Sequence, residues 1–415
     1  MRRTFFLMLA VTAFAAASGT GQDLALEGGT VMTITQGTIE NGTVVIQNGR
    51  ITAVGQGATI PSGVTVIDTS GKYVMPGLID SHTHIGLDDI NEATDPVTPQ
   101  LWMKDVLVPD HDTIRTTLAG GVTTVKTMHG SANVIGGVNV TIKLKYDRLA
   151  EDMIVADARQ QLKMALGENP KRVYGGKGKT PATRLGITHL ARKAFVEAQE
   201  YKDKWDKYDK GAEEANVLAP AIDLQMETLK MVLEKELSVD IHIYRAEEMV
   251  WFLDLVKELD VDALQISHCI DGYKVADLLA EAGISFGGWV DWWGYKEEAY
   301  DGCPQCFELM HEAGVNIVLN SDSADIGRYL YLEAAKVLKY NDLPETEVLK
   351  MITINPAIAL ELEERIGSIE VGKDGDIAVF DKHPLDSTTK PVLTIIEGEV
   401  FYDYERDSVT ARGTD

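Results

Sequence analysis

The pattern of hydrophobic and polar positions changes twice along the chain. Near the beginning, GTVMTIT, GTVVIQNGRITAVG and GVTVID are short runs of alternating apolar and polar residues, and Asn48-Gly49 is typical of a hairpin turn. Near the other end, GDIAVFD, VLTIIEG and EVFYDYE have the same pattern. Because alternation with a period of two is typical of half-buried strands, we expect the two chain ends to meet in one small β domain.

Between the two ends, apolar runs alternate with helical segments, a pattern typical of β/α units that form a parallel sheet. The candidate strands are YVMPGLIDSH, VTTVKTM, VNVTIKLK, QLKMALG, VDIHIY, ALQISH, ISFGGWV and VNIVLNS. Eight such units favour a barrel. The count is irregular at one place, because HGSANVIGG between the second and third runs leaves no room for a full helix.

Polar side chains stand at the ends of several of these runs. His82 and His84 end the first run, and because they are two residues apart on an extended chain, both rings point to one face. His242 lies in VDIHIY, His268 closes ALQISH and Asp322 follows VNIVLNS. In a β/α barrel the reacting groups lie at the carboxyl ends of the strands. Imidazole nitrogens and carboxylate oxygens suit zinc and similar ions, so the pattern predicts a metal site.

The composition limits the kind of partner. With 415 residues, 45% of them hydrophobic, the chain can bury one large core plus a small second domain. Its formal net charge of −25 disfavours attraction to nucleic acid or anionic lipid. Three cysteines are too few for a disulfide scaffold, and we expect Cys303 and Cys306 in CPQC to form a local disulfide or to remain two inert thiols.

The first residues, MRRTFFLMLAVTAFAAASGTGQD, have the layout of a secretory signal. Arg2 and Arg3 precede an apolar stretch that closes on small residues. This stretch is shorter than the roughly 20 residues that a membrane-spanning helix needs. We therefore expect a signal peptide at 1–22, and a mature protein that is periplasmic or secreted and does not contact a membrane.

Several motifs spread over nearly the whole mature chain carry a family resemblance. They are PGLIDSHTH, GGVTTVKTM, DIHIYRAEEM, LQISHCID, VLNSDS, ITINPA and RIGSIEVGKDGDIAVFD. Together they resemble the amidohydrolase superfamily of metal-dependent hydrolases, and within it the imidazolonepropionase-like and prolidase-like group. The resemblance implies an α/β fold, a distorted (β/α)8 TIM barrel at 74–358 with a small β-sandwich domain formed by both chain ends, 23–73 and 359–415.

The resemblance also implies a divalent metal, with zinc as the expected ion and one or two ions bound. The implied ligands are His82, His84, His242, His268 and Asp322. Two-metal members place a carboxylated lysine or a glutamate at the fourth strand, where QLKMALGENPKR offers Lys163 and Glu168. Glu168 is the favoured candidate, because it lies just past the apolar run and carries its charge without modification. Lys163 lies deeper, but its long stem can reach outward.

The chemistry implied by the resemblance is hydrolysis by a metal-activated hydroxide that attacks a carbonyl or related carbon. Asp322 would take the proton of the attacking water and pass it to the leaving nitrogen. Arg184 and Arg245 can pair with a substrate carboxylate or form structural salt bridges, and His129 can hydrogen-bond the reacting carbonyl or serve its loop. The tryptophans of GGWVDWWGY can wall an apolar pocket or pack in the core.

These observations predict an exported enzyme that cleaves a C–N bond in a small amide, cyclic amide or dipeptide. A mononuclear deaminase or an imidazolone-type ring hydrolase of the same fold is the nearest alternative, and the number of bound ions separates them. A non-catalytic binding protein on the hydrolase scaffold is the alternative from another class. A homo-oligomer is compatible with the sequence.

Overall fold

The computed structural model describes residues 23–211 and 218–410, so the predicted signal peptide lies outside the described residues. The strands of the described chain are β1 (Leu24–Met32), β2 (Thr38–Gln47), β3 (Arg50–Gln56), β4 (Thr65–Asp68), β5 (Tyr73–Pro76), β6 (Leu78–Thr83), β7 (Val122–Thr127), β8 (Ile135–Val138), β9 (Val140–Lys143), β10 (Gln161–Ala165), β11 (Ser238–Ile243), β12 (Ala263–His268), β13 (Ser285–Gly288), β14 (Ile317–Leu319), β15 (Ile377–Phe380), β16 (Pro391–Ile396) and β17 (Glu399–Asp403). The helices are α1 (Asp112–Leu118), α2 (Ala150–Met153), α3 (Glu168–Gly175), α4 (Arg184–Gly211), α5 (Leu224–Leu233), α6 (Ala246–Leu259), α7 (Ala276–Ala282), α8 (Cys306–Glu312), α9 (Ala324–Gly327), α10 (Leu330–Tyr340), α11 (Glu345–Lys350), α12 (Ile354–Ala359) and α13 (Tyr404–Thr410). Over these ranges, no helix combines the length and the apolar character that a bilayer crossing requires.

Strands from both ends of the chain form one sheet. It has eight strands in the order β17-β16-β15-β5-β1-β2-β3, with β4 paired to β1. The ends join where β15 pairs antiparallel with β5, with Val379 opposite Val74. Both side chains are buried in one hydrophobic cluster with residues of β1 and β2 such as Leu26 and Ile46. The prediction that the two ends meet is therefore confirmed.

Each of the eight predicted apolar runs contains a strand. β6 and β7 pair in parallel, and so do β10, β11, β12, β13 and β14 in series. The third run differs, because it is split between β9 and the last residue of β8, whose other residues lie in the connection HGSANVIGG. These two strands pair antiparallel with β7 and β10 respectively. A parallel return needs a crossover of about a dozen residues or more, and residues 128–134 between β7 and β8 are too few. The expectation of a uniformly parallel arrangement is therefore corrected at this run.

The edge of β8 is covered by another part of the chain. β8 is the outer strand of the six-stranded sheet β14-β13-β12-β11-β10-β8. Residues 97–102 lie beside it, with parallel bridges to Ile135 and Val138. The N–H of Val138 donates to the carbonyl oxygen of Leu101 at 2.7 Å. The long connection after β6 thus supplies the backbone partner that β8 would otherwise lack.

The carboxyl end of β14 lies beside that of β6. The backbone N–H of Asp322 donates to the carbonyl oxygen of His82 at 3.0 Å. The buried Asp80 carboxylate accepts from the backbone N–H groups of His82 and Ser321, each at 3.2 Å. The first and last strands that carry predicted ligands are therefore held together by backbone and by one carboxylate.

A buried cluster of charges joins β9 to the end sheet. The Lys143 ammonium lies 2.5 Å from an oxygen of Asp374, 3.1 Å from Asp376 and 2.7 Å from Glu397. Burial opposes the charge of Lys143, but the three carboxylates outweigh this effect and raise the pKa of its ammonium. Lys143 therefore neutralises acids that sit directly before β15 and after β16.

This cluster makes a prediction about stability. Lys143→Met leaves buried carboxylates without their shared cation, so we expect the free energy of unfolding to fall by about 3–5 kcal/mol. The matched control is Lys145→Met, because Lys145 pairs with Glu397 alone and is partly exposed. Its expected loss is below about 1 kcal/mol. Urea denaturation measures both, and equal small losses would contradict the role given to Lys143.

The cysteines of the CPQC motif are free thiols. Cys306 begins α8 and is buried, and burial raises the pKa of its thiol. Cys303 is partly exposed and its thiol donates to the side-chain oxygen of Gln305 at 3.3 Å. Of the two predicted alternatives, the structure has the free thiols.

Candidate metal centre

His82, His84 and Asp322 form a compact group at the carboxyl ends of β6 and β14. Their candidate ligand atoms all lie within 4.8 Å of one another. The Nε2 atoms of His82 and His84 are each 3.1 Å from Oδ1 of Asp322. The Nδ1–H of His84 donates to the carbonyl oxygen of Met128 at 2.8 Å, which leaves Nε2 as the atom that faces the carboxylate. If His84 is neutral, its unprotonated Nε2 and Oδ1 of Asp322 are both acceptors that repel each other. A cation between these two atoms would remove the repulsion.

The Asp322 carboxylate is held in its charged form. Burial opposes ionisation, but the electrostatic interaction with the neighbouring His268 ring and the contacts with His82 and His84 outweigh it and keep the pKa of Asp322 well below its usual value. Asp322 has a left-handed backbone conformation, with φ of 51°, three residues after the last residue of β14. This turn places its side chain at the strand end, beside both histidines.

His242 and His268 extend the group along β11 and β12. The ring centroids are 4.3 Å apart for His242 and His268, and 4.8 Å apart for His268 and His82. Both ring nitrogens of His242 and Nδ1 of His268 are buried and have no hydrogen-bond partner among the described residues. Burial, assisted by neighbouring positive charges, lowers the pKa of both rings well below the usual value, so they are neutral. Unpaired buried nitrogens cost about 1–3 kcal/mol each, and neutral imidazoles with free lone pairs fit a metal ion.

The structure separates the two fourth-strand candidates. Lys163 lies on β10, fully buried, and its Nζ is 3.4 Å from Nε2 of His82. Glu168 begins α3 after Gly167, whose φ of 79° turns the chain out of the strand. The carboxylate of Glu168 instead lies 3.9 Å from the ammonium of Lys296. The sequence analysis favoured Glu168, whereas the geometry brings Lys163 to the histidines.

Lys163 belongs to a polar network inside the strands that the sequence analysis missed. The Asp240 carboxylate lies 2.6 Å from Lys126 Nζ and 3.7 Å from Lys163 Nζ, and it accepts from the Ser267 hydroxyl at 3.3 Å. Burial lowers the pKa of Lys163 to about 8, with Lys126 adding to the shift and Asp240 opposing it. The available signal was a charged residue inside an apolar run, as in VTTVKT and VDIHI. Asp240 is also two residues before His242 and so shares its face.

His129 has backbone partners on both ring nitrogens. Nδ1–H donates to the carbonyl oxygen of Gly130 at 2.8 Å, and Nε2 accepts from the N–H of Glu92 at 3.1 Å. Burial is the main cause that lowers the pKa of His129 to about 4. These two hydrogen bonds link two loops. A hydrogen bond from His129 to a reacting carbonyl stays a prediction, and it would require one of the two hydrogen bonds to break.

Both predicted substrate arginines are paired with acids of the chain. The Arg184 guanidinium contacts Glu298 and lies 3.2 Å from an oxygen of Glu248. Arg245 directly precedes the first residue of α6, and its guanidinium contacts the Glu247 carboxylate. The structure places neither of them in contact with the histidine group, and the salt-bridge alternative describes what each does here.

Two of the three tryptophans wall the histidine group. The Trp289 ring is buried and stacks on His268 with 4.5 Å between centroids. Trp292 stacks on Trp289 at 4.6 Å. Trp293 is about half exposed and contacts Tyr340 instead. The prediction of an apolar wall therefore fits Trp289 and Trp292.

The sequence was also compared with known proteins. Residues 73–401 match the sequence profile of the amidohydrolase family. The chain belongs to this family. The amidohydrolase tasK of Hapsidospora irregularis is 31% identical over 87% of this chain. The matched region covers 40% of the length of that relative. The imidazolonepropionase of Fusobacterium nucleatum is 26% identical over 82% of the chain and 85% of its own length.

A solved structure has the same fold. The amidohydrolase from Thermotoga maritima MSB8 is 34% identical and superposes with a TM-score of 0.85 over 92% of this chain and all of its own. The mixed α/β content therefore agrees with the amidohydrolase fold, and the family is one of enzymes that act on carbon–nitrogen bonds. Members of this family use divalent metals, and His82, His84 and Asp322 offer a site for one.

Proposed function

We propose that this amidohydrolase is a metal-dependent hydrolase that cleaves the C–N bond of a small amide, cyclic amide or dipeptide. The observation that carries the proposal is the pair His242 and His268, whose buried nitrogens lack partners beside the His82, His84 and Asp322 group. A binding protein would gain nothing from keeping such nitrogens buried and unpaired.

The residues fit a divalent ion. His82, His84, His242, His268 and Asp322 would hold it, with Lys163 as the candidate that links two ions if it carries a carboxylate group. When bound, a divalent ion such as zinc polarises a carbonyl and lowers the pKa of water toward 7. The chain itself supplies the neutral imidazoles, because burial keeps protons off His242 and His268.

Asp322 has the position of a proton carrier. Its carboxylate is ionised and is reached by both histidines of β6 through one oxygen, Oδ1. The other oxygen can accept a proton from the attacking water and deliver it to the leaving nitrogen. Trp289 and Trp292 exclude water from the side of His268, which strengthens the local electrostatic interactions.

Lys163 supports hydrolysis over deamination. Deaminases of this superfamily usually keep one ion and lack a fourth-strand bridging group. Here Lys163 lies 3.4 Å from His82 with Asp240 and Lys126 packed behind it, an arrangement that a one-ion site does not need. A count of the ions bound per chain separates the two functions.

The proposal includes the architecture and the location. We propose that the two sheets of β6 to β14 form one distorted (β/α)8 barrel, because they adjoin both at β14 and β6 and at the split third run. The sheet of the chain ends would be the β-sandwich domain. The apolar segment that follows Arg2 and Arg3 supports export to the periplasm or the medium.

The test is to incubate metal-loaded protein with a library of dipeptides, cyclic amides and amino-heterocycles and to follow products by mass spectrometry. We expect a new carboxylate and a new amine from at least one group of compounds, and loss of this activity when a chelator removes the metal. Release of ammonia from amino-heterocycles alone would favour the deaminase. Complete silence at full metal occupancy would favour the binding protein.

A further inference from the structure

The positive charge of Lys296 lies near the candidate metal centre, because the Tyr244 ring contacts both the ammonium and the histidines. It lies in the connection after β13, between the tryptophan wall and α8. Its Nζ is 3.7 Å from the centre of the Tyr244 ring, a cation–π contact. The same Tyr244 ring stacks on His268 at 5.2 Å and contacts His242 at 4.9 Å. A group that reaches the histidines along Tyr244 therefore passes the ammonium.

The ammonium of Lys296 is poorly paired for its degree of burial. The side chain is 15% exposed, and its nearest carboxylate oxygens, on Glu168 and Glu298, are each 3.9 Å away. Within the described chain, its hydrogen bond goes to Asn169 Oδ1 at 3.4 Å, although an ammonium has three protons to donate. Burial lowers the pKa of Lys296, and the charges of Glu298, Glu168 and Asp322 oppose this effect without cancelling it.

The two nearby acids face Lys296 at ion-pair distance, 3.9 Å, but neither is close enough to accept a hydrogen bond from its ammonium. One oxygen of Glu298 already contacts Arg184 and accepts from the backbone N–H of Glu168 at 2.9 Å. The Glu168 carboxylate lies outside hydrogen-bond distance of Lys296. Arg184 and Arg245 are engaged by their own acids, so of these three described cations Lys296 is the one with protons left to offer.

We infer that Lys296 binds a carboxylate of the substrate, so that this hydrolase acts on amides that carry a free carboxylate next to the scissile bond, as dipeptides and N-acyl amino acids do. The inference rests on the proposed function and narrows its substrate class. A carboxylate fits better than a phosphate, because Glu168 lies close enough to repel a second negative charge. Tyr244 and Tyr295, joined through their hydroxyls, form the aromatic floor under the ammonium.

The test uses pairs of dipeptides that differ only in a C-terminal carboxylate or a C-terminal amide. Binding is measured by calorimetry with the metal-loaded Asp322→Asn protein, which is designed not to turn the ligands over. We expect this protein to bind the acids at least about tenfold more tightly than the amides. Adding Lys296→Met should weaken acid binding by about 10- to 100-fold and leave amide binding within about twofold. Lys296→Arg should keep part of the preference, because it keeps the charge.

The matched control is Lys339→Met, because Lys339 also lies over a tyrosine ring, Tyr340, at 4.8 Å but is exposed on α10. It should change neither affinity. Thermal unfolding of each variant checks that the fold is kept. An unchanged preference for acids after Lys296→Met would overturn the inference. Two results with the Asp322→Asn protein alone would also overturn it: equal affinity for acids and amides, or no binding of either.

The results distinguish a wrong role for Lys296 from a wrong proposed function. If acids bind through Lys296 but no compound is hydrolysed by the otherwise unaltered enzyme, the hydrolase proposal is wrong and the carboxylate site remains. If only neutral amides are bound and hydrolysed, the hydrolase proposal stands and the role of Lys296 is wrong.

Discussion

Asp322→Asn should lower kcat by about 10²- to 10⁴-fold while the protein still binds metal. The carboxamide keeps the size of the side chain and an oxygen that can serve as a ligand. It cannot accept a proton at neutral pH, so it loses the transfer from water to the leaving nitrogen. Steady-state kinetics on a compound found in the library screen, together with elemental analysis of the same sample, measure both quantities.

The control for this change is Asp325→Asn. Asp325 lies three residues further along, in the first turn of α9, and its side chain is exposed. We expect its kcat to stay within about twofold of the parent, since most exposed substitutions have small effects. Full turnover in Asp322→Asn with metal still bound would remove Asp322 from the chemistry.

Lys163→Met should reduce the number of bound divalent ions and lower kcat by at least about 100-fold, whereas Glu168→Gln should keep both. Lys163 Nζ reaches His82, and Glu168 points to Lys296 instead. Methionine fills much of the space of the lysine stem and cannot carry a carboxylate group. Elemental analysis after loading with excess zinc gives the ion count, and kinetics on the same preparations give kcat.

A second variant keeps this test independent of folding. Lys126→Met removes the other cation that faces Asp240, and it leaves Lys163 in place. If Lys163→Met lost metal only because Asp240 became unpaired, Lys126→Met would lose metal to the same extent. The reverse outcome, in which Glu168→Gln loses an ion and Lys163→Met keeps all of them, would restore Glu168 as the fourth-strand ligand.

Much of the fold could be predicted because burial leaves a regular signal in the sequence. The eight apolar runs all contain strands, and the alternating runs of the two chain ends pair in one sheet. The sequence alone predicts that His82, His84 and Asp322 lie close together, because each follows an apolar run and such strand ends meet at one side of a parallel arrangement.

The remaining features depend on contacts that the local sequence does not encode. Its distance from the strand favours Glu168, but a carbon added to Gly167 would lie 2.6 Å from Glu298, which shows how tightly the chain turns away there. The charges of Asp240 and Lys126 interrupt apolar runs, yet only their pairing across neighbouring strands explains them. The place of Lys296 over Tyr244 depends on the path of a long loop.

The coverage of β8 by residues 97–102 removes one sheet edge on which another chain could pair. An outer strand with free N–H and C=O groups is a template on which a second chain can assemble, and proteins usually blunt such edges. Here the same connection that leaves the histidines of β6 occupies that template from within the molecule. The segment that leads away from His82 and His84 therefore also covers a sheet edge on which another chain could otherwise pair.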